Sequence, residues 1–185
     1  MNDYKKESPC RHKFGNSCIN CNNSKCNFKK IFLDSSVILN WLLLEKNSEK
    51  VKDVLYNHRQ KYVIYTNQIV VGEIIKRIIL DCDYNRLKEI FSENYFLNYL
   101  HNSVYIEINT ENNKFLNLLK EINKLDIRSK NRDRLIVASI LFNNTNLSSN
   151  KIELFTFDEK LVEDINNDKF NLDQYDKLKV FKLNK

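Results

Sequence analysis

Four acidic residues stand where carboxylates can do chemistry. Asp34 ends the apolar run Ile31-Phe32-Leu33 and is followed by two hydroxyl side chains, Ser35 and Ser36. Asp158 ends a second such run, Ile152-Glu153-Leu154-Phe155-Thr156-Phe157. Short apolar runs of this kind read as buried strands, and parallel α/β sheets hold their ligands in the crevice beyond the strand carboxyl ends. Two acids at two strand ends therefore predict one shared site. Asp133 lines up at helical spacing with Ile136, Val137 and Ile140, which turns it toward the protein body. A carboxylate taken out of water needs a cationic partner, a metal ion or a helix N-terminus. Glu73 lies on a strongly apolar helical stretch. Hard divalent cations take oxygen ligands, and a carboxylate cluster that holds them can neutralise charge on a phosphodiester under hydrolysis. Each acid also has a plainer reading. Asp34 and Asp158 precede helical runs and could be N-caps, Asp133 could serve its helix dipole, and Glu73 shares a face with Lys76 and Arg77.

The elements that must position these acids follow from hydrophobic periodicity. Residues 30–34, 62–66, 104–108, 152–157 and 178–181 read as strands. Helical patterns cover 36–44, 48–58, 67–80, 84–100, 115–125 and 131–142. In the fourth of these stretches Phe91, Tyr95, Phe96 and Tyr99 are the apolar positions, and in the third Val70, Val71, Ile74, Ile75, Ile78 and Ile79 form one broad apolar face. Strands alternating with helices predict βαβ units. The expected fold is a three-layer α/β/α domain with a mostly parallel sheet of four to five strands. The expected boundaries are 1–29 for an N-terminal segment and 30–185 for the α/β domain. Only 2 glycines and 1 proline interrupt the chain, so long helices and loops rich in Asn, Asp and Ser are expected.

Hydrophobic residues make up 42% of the 185 and charged residues 29%, a balance that excludes a disordered chain. The net charge is +6, and residues 1–30 carry seven Lys or Arg against two acids. A basic segment beside a near-neutral domain suits a polyanion, although a solvated tail is equally compatible. Residues 1–30 have no apolar core of the kind a secretory signal carries, and no apolar run reaches the roughly 20 residues of a membrane helix. A cytoplasmic location, with no membrane partner, is expected. Thiols stay reduced there, so Cys10, Cys18, Cys21 and Cys26 favour metal over disulfides. The Cys18-x-x-Cys21 spacing lets both sulfurs bind one ion, and a structural Zn²⁺ would order a segment that cannot bury a core. His12 could replace Cys10 as a ligand. Cys82, on an apolar helix, is expected in the core.

Rival chemistries at Asp34 fit less well. A haloacid-dehalogenase-like phosphatase needs a second Asp two residues on, where Ser36 stands, and a phosphate-binding loop needs glycines that this region lacks. Taken in order, the strand with Asp34-Ser35-Ser36, the helix with Glu73, the stretch Arg132-Asp133-Arg134-Leu135-Ile136-Val137-Ala138 and the run Thr156-Phe157-Asp158 resemble the PIN-domain nucleases. The resemblance extends over about residues 30–182. It implies that Asp34, Glu73, Asp133 and Asp158 are catalytic acids that bind Mg²⁺ or Mn²⁺, with Ser36 and Thr156 holding them. It implies RNA as substrate, and the family includes toxins with antitoxin partners as well as RNA-processing enzymes. A non-catalytic RNA- or protein-binding module on the same scaffold is the alternative. The cysteine-rich extension is a departure, because not all PIN-like proteins carry one. Arg128, Lys130, Arg132 and Arg134 surround Asp133 at the entry to its helix. As solvated cations they need no explanation. As a group they would bind phosphates and steer a strand toward the acids.

Overall fold

The structure is a computed structural model that describes residues 29–57, 62–92, 95–108, 110–147 and 150–182. Cys10, Cys18, Cys21, Cys26 and His12, and with them the expected zinc site, lie outside the described residues. The fold is built around strand β1 (Lys29–Leu33), in which Ile31, Phe32 and Leu33 are all fully buried. A strand buried on both faces shows a continuous apolar run in place of alternation, and this is how a central parallel strand reads. Asp34 alone separates β1 from helix α1 (Ser35–Leu42).

Helix α2 (Ser48–Lys52) runs on into a π-type turn over Asp53–Asn57. Then come β2 (Tyr62–Thr66), α3 (Gln68–Asp81), α4 (Tyr84–Ser92), α5 (Tyr95–His101) and β3 (Ser103–Tyr105). The described chain continues through α6 (Asn113–Lys124), α7 (Asn131–Thr145), β4 (Ile152–Phe155) and α8 (Glu159–Asn166). The sheet order is β3-β2-β1-β4, and every pairing is parallel. Ile31 lies opposite both Ile64 and Glu153, so β1 is paired on both edges.

Right-handed crossovers turn this order into three layers. The chain steps one way from β1 to β2 to β3, which puts α1 to α5 on one face. It then returns past β1 to β4, which puts α6 and α7 on the other. Helix α1 accordingly packs on α2 and α3, while α6 packs on α7 and α7 on β4. The order reverses between β1 and β4. That reversal is the topological switch point at which open α/β sheets form their binding crevice.

The expectation of a parallel three-layer sheet holds, with four strands. The stretch 178–181 is not a fifth strand. Val180 makes one isolated bridge to Leu154, flanked by hydrogen bonds from Leu154 N to Lys179 O at 2.8 Å and from Phe181 N to Leu154 O at 2.7 Å. Its buried residues, Leu178 and Phe181, are three apart, a spacing that a period-two strand does not place on one face. The stretch 84–100 divides into α4, which buries Ile90, and α5, which buries Phe96 and Tyr99. The face of α3 is narrower than its sequence suggests. Val70, Ile74 and Ile78 are buried, one residue per turn, whereas Ile75 and Ile79 are exposed. Cys82 is half-buried at the end of α3 and packs against the core, as expected. Among the described residues, no helix is long and apolar enough to cross a membrane.

Candidate active site

The loops that leave β1 and β4 are joined at the switch point. Asp34 N donates to Phe155 O at 3.0 Å, continuing the β1–β4 ladder by one step and bringing Asp34 beside Thr156. Asp34 occupies the N-cap position of α1, but its side chain does not cap the helix. Its Oδ2 accepts from Ser36 Oγ and from Thr156 Oγ1, each at 2.8 Å. Each hydroxyl has one proton, and each spends it on this carboxylate. Their lone pairs in turn accept backbone amides, Phe157 N on Ser36 Oγ and Asp158 N on Thr156 Oγ1, both at 3.0 Å. Ser36 and Thr156 thus relay the β4 loop's amides to Asp34 and fix its orientation.

Asp34 is only 6% exposed, and burial raises its pKa above the ordinary aspartate value. The hydrogen bonds from Thr156 and Ser36 oppose the rise, and the nearby charge of Glu73 adds to it. A buried carboxylate held by two hydroxyls and the Ser35 amide, with a second carboxylate nearby, carries a negative charge that these neutral donors offset only in part.

Glu73 lies one turn into α3, whose start is set by Asn67. Asn67 is fully buried, its Oδ1 accepts Ile69 N and Val70 N at 3.1 Å, and its Nδ2 donates to Ser139 Oγ of α7 at 3.3 Å. This cap ties the first turn of α3 to the opposite layer. Glu73 does not pair with Lys76 or Arg77 as the plainer reading had it. Arg77 pairs with Asp81 at 2.9 Å, while Glu73 turns inward. Its Oε2 accepts from Ser35 Oγ at 2.7 Å, and its Oε1 pairs with Arg132 Nη1. Ser35 is the residue that reading the sequence missed. The signal was present in the doubled serine after Asp34, because two hydroxyls one helical step apart project toward two different acids.

Asp133 is buried in the first turn of α7, turned toward the protein body and at the same time serving the helix start. Its Oδ2 accepts Lys130 N at 2.8 Å, which secures the helix start, and Arg132 Nε lies 3.6 Å from its Oδ1. Burial raises the Asp133 pKa, the Lys130 amide and Arg132 oppose that rise, and the charges of Asp34 and Asp158 reinforce it. Asp158 does cap α8, its Oδ1 accepting Lys160 N at 3.0 Å and Leu161 N at 3.2 Å. The four acids therefore share one electrostatic neighbourhood at the carboxyl ends of β1 and β4. Asp34 and Asp133 are buried, repel each other and are raised in pKa, and with Glu73 and Asp158 beside them they form an oxygen donor set that a hard divalent cation would relieve, so the residues fit such an ion chemically. In this conformation no three His, Cys, Asp or Glu side chains among the described residues are placed to hold one ion together. Arg132 holds two of the acids on its own guanidinium.

The flanking cations divide in role. Arg134 turns back to the protein and donates to Asn123 O at 3.1 Å and to Ile127 O at 3.4 Å, fastening the α6–α7 corner. Arg128 and Lys130 are exposed, and Arg128 lies 3.5 Å from Glu163. The loop that carries them is set by Asp164 of α8, which has no exposed surface. Its Oδ2 accepts Arg128 N at 2.8 Å, Ser129 N at 3.1 Å and Ser129 Oγ at 2.7 Å, and its Oδ1 pairs with Lys169 at 3.0 Å. Nothing in the local sequence singled out Asp164 as the anchor of this loop, because the loop partners on its Oδ2, Arg128 and Ser129, lie 36 and 35 residues away on the amino-terminal side.

A family profile described as the PIN domain matches residues 31–165, most of the chain, running from within β1 to within α8. No curated protein matches the chain.

Proposed function

The chain belongs to the PIN-domain family, and on that premise we propose that it is a metal-dependent endoribonuclease acting at the Asp34 crevice. Domains of this family are generally nucleases that use divalent ions such as Mg²⁺ or Mn²⁺. The observation that carries the proposal is Asp34 itself. It is a buried acid at the sheet's switch point, gripped by hydroxyls from two different strand ends and repelled by a second acid. Desolvating a carboxylate in this way weakens a fold, and a catalytic role accounts for the arrangement where capping does not.

Asp34, Glu73, Asp133 and Asp158 would hold the ion. When bound, Mg²⁺ or Mn²⁺ supplies charge neutralisation at the scissile phosphate and acidifies a water at neutral pH. The chain's own residues do the rest. Ser36 and Thr156 keep Asp34 in one orientation, and Ser35 does the same for Glu73. Arg128, Lys130 and Arg132 face incoming phosphates at the start of α7, while Arg134 supports the corner beneath them. The proposed division of the chain puts this nuclease in residues 30–185 and a basic, zinc-binding segment in 1–29, where it adds phosphate contacts.

The test is cleavage of single-stranded RNA with Mg²⁺ or Mn²⁺. Asp34→Asn and Asp133→Asn should each lower the rate by at least about a hundredfold, as loss of transition-state charge stabilisation does. Cleavage by either variant at the wild-type rate would remove the nuclease reading and leave an RNA-binding module on a PIN scaffold.

A further inference from the structure

Arg132 is the cation that the structure places among the acids, and it stands on the oxygens that an ion would need. Its Nη1 pairs with Glu73 Oε1, and its Nε approaches Asp133 Oδ1 at 3.6 Å. The other oxygen of each acid is already taken by the chain, Glu73 Oε2 by the Ser35 hydroxyl at 2.7 Å and Asp133 Oδ2 by the Lys130 amide at 2.8 Å. One oxygen per acid is therefore fixed by the fold, and the other is on the guanidinium. The exposures are graded in the same sense. The Arg132 side chain is 43% exposed, against 15% for Glu73 and 9% for Asp133, so the guanidinium covers the two carboxylates from the solvent side.

We propose that Arg132 is a built-in, displaceable counter-cation that competes with the divalent ion for Glu73 and Asp133. This rests on the metal-dependent reading given above. A guanidinium and a metal ion both bind carboxylate oxygens as cations, so Oε1 of Glu73 and Oδ1 of Asp133 serve one or the other. With Arg132 in place the two acids are neutralised without metal, which lowers the resting affinity for the ion. When the ion takes the acids, the guanidinium is released. It is already half in solvent at the mouth of the crevice, where an incoming phosphate is its natural partner. One side chain thereby links occupancy of the acids to readiness for the substrate's phosphates.

The experiment is a Mn²⁺ titration of the full chain by calorimetry, without nucleic acid, comparing wild type, Arg132→Ala, Arg132→Lys and Asp34→Asn. Arg132→Ala should bind Mn²⁺ about fivefold more tightly than wild type, the scale of one partly exposed ion pair, with Arg132→Lys between them. In parallel, the Arg132 Nε–H resonance of the wild type should move to the position of a solvated guanidinium as Mg²⁺ is added. Equal or weaker Mn²⁺ binding by a folded Arg132→Ala variant overturns the proposal, as does an Arg132 resonance that stays put while the metal site saturates. A wild type that binds Mn²⁺ no better than Asp34→Asn is a different result. It removes the metal site itself, and the counter-cation role with it.

Discussion

Asp34 illustrates a residue whose placement works against the fold. Its pKa is raised by burial, so between the ordinary aspartate value of 3.8 and its folded value the native state binds more protons than the unfolded chain. Stability therefore falls as pH rises through that window. Asp34→Asn keeps an oxygen for the Ser36 and Thr156 hydroxyls and removes the charge. In chelator-treated protein this variant should melt at a higher temperature than wild type at pH 7, and the gain should fade as the pH is lowered toward 4. Thermal scans across that range check it, and a variant less stable than wild type at pH 7 would contradict the account. The same substitution abolishes the proposed cleavage, so stability and activity should move in opposite directions.

At the scale of elements, the site depends on how the starts of α3 and α7 and the end of α8 are fastened. Asn67 fastens α3 to α7, Lys130 N and Asp133 close the first turn of α7, and Asp164 fastens α8 to the loop before α7. Asp164 has the opposite sign from Asp34. Burial pushes its pKa up, but the Ser129 hydroxyl, Lys169 and two amides outweigh that and leave it below the ordinary value. Its contribution is present above the unfolded pKa and is lost as pH falls through the folded one. Asp164→Asn should destabilise the protein by about 2 kcal/mol at pH 7, the scale of losing charge-assisted hydrogen bonds at a buried site. Urea unfolding at descending pH should show the gap between wild type and variant closing below the ordinary aspartate value. A gap that is constant with pH would mean that Asp164 acts through shape and not through charge. Because this loop carries Arg128 and Lys130, RNA affinity should weaken as well, without loss of metal binding.

For the whole molecule, the sheet order decides where chemistry can occur and the charge distribution decides what approaches it. The switch between β1 and β4 opens one crevice, and the acids are gathered there. The net positive charge is concentrated elsewhere, in the first 30 positions of the chain, where seven basic residues stand against two acids. If the proposed zinc segment orders those cations, the double substitution of Cys18→Ser with Cys21→Ser should release zinc and leave the melting of the α/β domain unchanged. RNA binding should weaken for all sequences alike, and its salt dependence should flatten as phosphate contacts are lost. Elemental analysis and filter binding from low to high salt are the measurements. Equal zinc content in wild type and variant would remove the zinc segment.

The sequence alone determined the alternation of strands and helices, the parallel sheet and the identities of the acids. Those features rest on local periodicity and on run-in positions such as Leu33-Asp34, which neighbours along the chain specify. It also determined which hydroxyls stand next to Asp34. It left open which reading of each acid applied, because capping and site roles use the same residue types at the same positions. Tertiary structure decided that Asp34 turns away from its helix toward Thr156, 122 residues on, whereas Asp158 caps its helix. It also decided that Glu73 leaves Lys76 and Arg77 for Ser35 and Arg132, that Ile75 and Ile79 on the apolar face of α3 stay in solvent, and that 178–181 makes only a bridge. Thr156 for Asp34, Arg132 for Glu73 and Leu154 for Val180 are partners brought close only by the return of the chain from β3 past β1 to β4. Periodicity within one segment carries no information about such a partner.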